Sequence, residues 1–294
     1  MTIPINVPNI DKEEIREVTS VLLEKSLTSS SFEGGKRVQQ FEHLLSKFVK
    51  SKFAIAVNSG TSALQASLYA LDIKSGDEVL VPSFTFVATA NSVKAVGAKP
   101  VFVDILRENY TMDPDDLRKK ITKRTKAIIP VHLYGHVAYM EEIIELAKKN
   151  NLKIIEDASQ SLGSKFKGKH SGTFSHLGCF SFYGAKVTTS GEGGAIVTDD
   201  KNLCEKLKQI RNHGQSKNNL ITRLGLNLRL SEINAAIAKI QMKKLSLFLM
   251  QRKRNAKILT ELLQNCDVIL PKQRKNETFN WYLYTIAHKN RNKI

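Results

Sequence analysis

Long apolar runs are missing from this 294-residue chain. No stretch approaches the about 20 apolar residues that a helix needs to cross a bilayer, so no membrane partner is expected. Cysteine is scarce and scattered: Cys179, Cys204 and Cys266 form no C-x-x-C pair, which excludes a disulfide framework and a zinc knuckle and fits a reducing compartment. Glycine (16) and proline (7) are not in excess, which sets aside fibrous and low-complexity classes. Met1 to Asp11 lack a basic segment followed by an apolar run and a small-residue cleavage site, and a cytoplasmic location is the expectation that follows. Acidic residues are outnumbered, 28 against 45 Lys and Arg, leaving a formal charge of +17. Such an excess suits an anionic partner such as nucleic acid or a phosphorylated metabolite. The basic residues are nevertheless spread along the chain, and their densest run, Lys239 to Lys257, falls in a helical pattern where a solvated face is the plainer account. No helix-turn-helix or aromatic-interleaved basic motif is present, so nucleic acid is not an expected partner.

Hydrophobic residues make up 41% of the chain, enough for a sizeable core. From Lys52 to Asp199, short β-branched runs alternate with amphipathic stretches, the pattern of an α/β sheet covered by helices. Seven strands are predicted: Phe53 to Val57, Glu78 to Val81, Pro100 to Val103, Ala127 to His132, Lys153 to Glu156, Cys179 to Tyr183 and Ala195 to Thr198. Helices are predicted at Asp11 to Glu24, with Asp11 as N-cap, at Ser62 to Leu71, Phe86 to Val96 and Met140 to Lys149. After Asp200 the pattern turns to long helices, Asn202 to Arg211 and Ser231 to Gln264, and then to one apolar run, Trp281 to Ala287, expected to be a strand.

Three stretches carry chemistry. Ser181 to Gly194 sets one lysine, Lys186, between an apolar strand and a glycine-rich turn. Burial there would lower its pKa, as a Schiff-base lysine requires, although a plain loop lysine has the same spacing. Ile154-Ile-Glu156-Asp157-Ala-Ser-Gln160 puts a carboxylate at the carboxyl end of an apolar strand, where open α/β sheets bind ligands. A helix-capping Asp would look the same. Asn58-Ser-Gly60-Thr61-Ser62 follows a strand and opens a helix, a geometry that binds phosphate and that an ordinary capped helix start shares. Gly163 to His170 nearly matches a P-loop, but His170 stands where the magnesium-binding hydroxyl is needed.

Taken in order, these stretches resemble the DegT-type nucleotide-sugar aminotransferases, a branch of the fold-type I enzymes that depend on pyridoxal 5'-phosphate (PLP). Val81 to Phe86, Pro130 to Gly135 and Leu226 to Ala236 extend the resemblance, which runs from about Ile3 to Leu245. It implies a mostly parallel seven-stranded sheet, a PLP-binding large domain over 1–245 with its N-terminal helix, and the start of a truncated, incomplete small C-terminal domain over 246–294. It also implies that Lys186 carries the cofactor and serves as catalytic base, that Asp157 pairs with the pyridinium nitrogen, and that Gln160 lies beside the ring. Phe86 would stack on the ring. Gly60, Thr61 and Ser181 would hold the phosphate, and Asn227 would reach the phosphate of a neighbouring subunit in a homodimer. The implied reaction takes an amino group from glutamate or glutamine to a nucleotide-linked keto sugar, an activity of polysaccharide biosynthesis. No metal is expected. A catalytically impaired, truncated relative or a PLP-binding regulatory protein is the alternative.

Overall fold

The computed structural model describes residues 7–293; residues 1–6, among them Ile3 where the family resemblance starts, and Ile294 lie outside it. In chain order the elements are α1 (Lys12–Leu23), α2 (Lys36–Val49), β1 (Phe53–Val57), α3 (Gly60–Ala70), β2 (Glu78–Pro82), α4 (Ala88–Ala95), β3 (Lys99–Val103), α5 (Pro114–Lys120), β4 (Thr125–Ile128), α6 (Met140–Lys149), β5 (Lys153–Asp157), β6 (Lys165–Phe166), β7 (Lys169–His170), β8 (Leu177–Ser181), β9 (Gly194–Thr198), α7 (Lys201–Arg211), α8 (Glu232–Leu263) and β10 (Glu277–Thr278). Seven strands form one sheet in the order β1-β9-β8-β5-β4-β2-β3. Only β9 runs against the rest, pairing antiparallel with β1 and β8, while β8-β5-β4-β2-β3 are parallel. The expected mostly parallel sheet is therefore the one observed. Six strands deliver their carboxyl ends to the same edge, where a ligand crevice belongs in this architecture.

Both sheet faces are covered, which is why Val79 to Val81 and Ile154–Ile155 read as unbroken apolar runs. On one face α3, α4 and α7 bury Leu64, Leu68, Val93 and Leu207. On the other, α2 and α8 bury Phe41, Leu45, Ala238 and Leu245, and Phe41 meets Phe182 edge to face at 4.8 Å between centroids. Helix α1 starts as predicted: Asp11 accepts from Glu13 N–H, and the Glu14 side chain returns to the Asp11 N–H.

Three sequence expectations need correction, and helix α2 lies where none was made. Helix α2 was not predicted, because its start has no local cap: Gly35 offers no side chain, and Glu232, from the start of α8, accepts from the N–H groups of Arg37 and Val38 instead. The fourth strand stops at Ile128, short of His132, because Pro130 has no N–H to give to a ladder; only a Val131 bridge to Asp157 continues it. Residues Phe86 and Val87 precede α4. Trp281 to Ala287 forms no strand: Trp281 adopts φ 54°, and the segment packs its rings on one another, Trp281 against Phe279 at 4.5 Å. Only Ala287 is bridged, to Ile269. Among the described residues no helix is long and apolar enough to cross a membrane.

The two helical layers are joined to the sheet edge by Arg211. It is fully buried, donates to Glu42 Oε1 at 2.6 Å and to the carbonyls of Ala56 and Phe32 at 3.2 and 3.0 Å, and Glu42 in turn accepts from Ala56 N–H at 2.7 Å. Removing one partner strands a charge in the interior. Arg211→Met is expected to lower unfolding stability by about 3–5 kcal/mol in urea titration, and adding Glu42→Leu is expected to restore part of it; a loss below about 1 kcal/mol would contradict this role.

Candidate active site

Strand β5 ends in two carboxylates that alternate to opposite faces. Glu156 is fully buried and saturated. His132 Nε2–H donates to it at 2.9 Å, a tautomer fixed by Ala138 N–H donating to Nδ1, and Gly172 N–H, Ser175 N–H and the Ser175 hydroxyl donate at 2.7, 2.8 and 2.9 Å. Among the described residues Asp157, 6% exposed, receives only the Thr89 hydroxyl at 2.9 Å and Ser159 N–H at 3.1 Å. No helix begins at Ala158, which turns back through Ser161 N–H to its carbonyl at 3.0 Å, so Asp157 is not a helix cap. A buried carboxylate with two neutral donors still has acceptor capacity and calls for a cationic partner.

Asp157 lines a cavity of about 350 Å³, and Lys186 lies on its wall. The lysine sits in the irregular loop between β8 and β9, with its N–H bonded to the Tyr183 carbonyl at 2.9 Å. Burial pushes its amine below the ordinary lysine range, while the charge of Asp157 pulls it back up. More of it is the free, nucleophilic amine at neutral pH than of a surface lysine.

The floor is the first turn of α3. Ser59 caps it by accepting from Ser62 N–H at 3.0 Å, and the N–H groups at the start of a helix have no helical carbonyl to bond. Two glycines let the chain close in. A Cβ on Gly60 would stand 2.8 Å from Ser181 Cβ, and one on Gly194 would stand 2.2 Å from the Ser59 carbonyl oxygen. The glycine-rich turn after Lys186 thus brings the start of β9 against the start of α3. Thr61 and Ser181 line this part of the cavity. Phe86 borders it with 69% of its surface exposed, so its ring face is open to a flat partner and it is not a core aromatic. Gln160 lines the cavity and accepts from Tyr134 N–H at 2.8 Å.

Of the residues singled out in the sequence, the structure gathers Gly60, Thr61, Phe86, Asp157, Gln160, Ser181 and Lys186 around one cavity. Asn227 is not among them; it is exposed, and its carbonyl accepts from Asn58 at 3.4 Å. The sequence reading missed Thr89 and Ser159, which position Asp157, and Tyr282, which also lines the cavity. Nothing in their spacing marks them: Thr89 sits on a short helix of ordinary composition and Tyr282 in a run read as a strand. The P-loop look-alike, Gly163 to His170, is a hairpin of β6 and β7. Its His170 accepts from Gly163 N–H and donates to the Ser171 carbonyl, and burial pushes its pKa down to about 4. Among the described residues no His, Cys, Asp and Glu cluster could hold a metal.

Residues 8–294 match the DegT/DnrJ/EryC1/StrS aminotransferase family. The chain is similar to GDP-perosamine synthase of Escherichia coli O157:H7, 37% identical over 97% of the chain and 77% of the relative. It is 38% identical to UDP-2-acetamido-2-deoxy-3-oxo-D-glucuronate aminotransferase of Pseudomonas aeruginosa, over 95% of the chain and 78% of the relative. Among solved structures, the PLP-form of a putative sugar aminotransferase from Streptococcus pneumoniae superposes with a TM-score of 0.91 at 26% identity, covering 99% of this chain and 79% of that one.

The closeness of β9 to α3 is testable by itself. Gly194→Ala forces the Ser59 carbonyl away and is expected to lower stability by about 1–3 kcal/mol, read as a fall in the urea midpoint at unchanged slope; an unchanged midpoint would mean that the contact is not tight.

Proposed function

The chain belongs to the DegT/DnrJ/EryC1/StrS aminotransferase family, and from that premise we propose that it moves an amino group from an amino acid, glutamate or glutamine, to a nucleotide-linked keto sugar, with PLP as its cofactor. The observation that carries the reading is a buried, under-satisfied carboxylate and a desolvated lysine on one cavity, floored by a helix start. Each part of PLP meets suitable chemistry there. Asp157 suits a protonated ring nitrogen, Phe86 a flat ring, and the amine of Lys186 an aldehyde. The first turn of α3, with Thr61 and Ser181, suits a phosphate. When bound, PLP supplies an electron-poor ring that stabilises the negative charge left on carbon as a proton departs.

The protein's own residues do the rest. Thr89 and Ser159 hold Asp157 in place, so that its charge would stay available to a ring nitrogen. Lys186, once its amine is free, takes a proton from one carbon and delivers it to another, a role for which a lowered pKa is an advantage. Gln160, anchored by Tyr134 N–H, would stand beside the ring. We assign Asn227 to the phosphate of a second copy in a homodimer; its exposure, away from its own chain's cavity, supports that assignment. The two relatives named above act on sugars linked to GDP and UDP, which supports a nucleotide-linked acceptor.

The test uses the PLP-loaded protein with glutamate or glutamine carrying an isotopically labelled amino group, and a panel of GDP-, UDP- and dTDP-linked keto sugars. Transfer of label to one sugar is expected, slowed about 100- to 10,000-fold in Lys186→Arg. Absence of transfer to any keto sugar by a protein that has bound PLP would contradict the proposal.

A further inference from the structure

We propose that Tyr282 is a positioning residue for Lys186: its ring face holds the ammonium at the cavity wall and steadies the charged form without tying it down. The inference rests on the reading of Lys186 as the reactive lysine. Lys186 Nζ lies 5.0 Å from the centroid of the Tyr282 ring, within reach of a cation–π attraction. Among the described residues the amine has no carboxylate within salt-bridge distance.

The ring's placement is built rather than incidental. Tyr282 N–H donates to Asn280 Oδ1 at 3.0 Å. Asn280 is 2% exposed, and its Nδ2 donates to the carbonyls of Gln160 and Leu162, each at 3.0 Å, while its N–H donates to Ser164 Oγ at 3.1 Å. From the other side, Arg252 donates to the carbonyls of Trp281 and Tyr282 at 3.2 and 3.1 Å. Trp281, between them, takes the left-handed φ of 54° that turns the chain. The segment is therefore riveted to the loop after Asp157 and to α8.

The charged and titratable groups around Lys186 are Asp157 from β5 and Tyr183 and Glu192 from its own loop, which line the same cavity, and Arg252 from α8, which lines a neighbouring cavity with it. Burial disfavours the ammonium, while Asp157 and the ring face favour it. A carboxylate in contact would lock the amine in an ion pair. A ring face lends charge stabilisation without directional hydrogen bonds, leaving the side chain free to swing between a bonded and a proton-carrying role.

The experiment measures the titration of Lys186 in cofactor-free protein, by competitive labelling with acetic anhydride across pH and mass spectrometry of the Lys186 peptide. Tyr282→Leu is expected to lower the midpoint by about 0.5–1.5 pH units, and Tyr282→Phe to leave it in place. If the leucine variant fails to fold, fluorinated phenylalanines of the same shape at position 282 should lower the midpoint stepwise as the ring face loses electron density. An unchanged or raised midpoint in Tyr282→Leu or the fluorinated series, or a phenylalanine variant that behaves like leucine, overturns the proposal. Because no cofactor or substrate is present, failure of the amino-transfer reading would show separately, as an inactive loaded wild-type protein.

Discussion

Two adjacent carboxylates close β5, and the cavity depends on how differently their charges are met. Glu156 receives four hydrogen bonds, from His132, Gly172 and twice from Ser175. Each bond to a charged acceptor contributes about 1.5–3 kcal/mol, so this group pins the strand end and the Gly172 turn together. Asp157, one residue on, has two donors and an open side. A rigid saturated carboxylate thus backs an unsaturated one, whose open acceptor sites favour a ligand that brings a hydrogen-bond donor or positive charge.

The same edge is shaped by long-range connections. Gly194 lets β9 begin against the Ser59 carbonyl, so that the lysine loop and the start of α3 share a wall. Glu232 opens α8 and caps α2 at once, and Arg211 ties α2 and β1 through Glu42. Helix α8 carries these constraints onward to Arg252, which holds the backbone of Trp281 and Tyr282 near Lys186. The antiparallel β9 matters here: reversing direction brings its first residue, Gly194, beside Val57 at the end of β1.

Much of this was legible in the sequence because it is local. The strand runs, the N-cap at Asp11 and the glycines around Lys186 each state a backbone requirement within a few residues of where it is met. All seven strands of the large sheet start within two residues of their predicted starts, Leu177 of β8 included, and only the run ending at His132 extended well past its strand. What stayed hidden depends on partners distant in sequence. Helix α2 has its cap in Glu232, and a window around Gly34-Gly35 shows only a breaker. Thr89 and Tyr282 are ordinary residues until the sheet brings Asp157 and Lys186 to them. Trp281 to Ala287 has the composition of a strand, but hydrogen bonds from Arg252 and the positive φ at Trp281 turn it into an aromatic-packed loop.

Lys186 is proposed as the residue that carries PLP, and the amino-transfer reading turns on it. The direct measurement is to incubate the purified chain with PLP, record the visible absorbance, reduce with borohydride and map the modified peptide by mass spectrometry. A visible band and a single modified residue, Lys186, are expected, both lost in Lys186→Ala. Label scattered over surface lysines, or the same band persisting in the alanine variant, would contradict it.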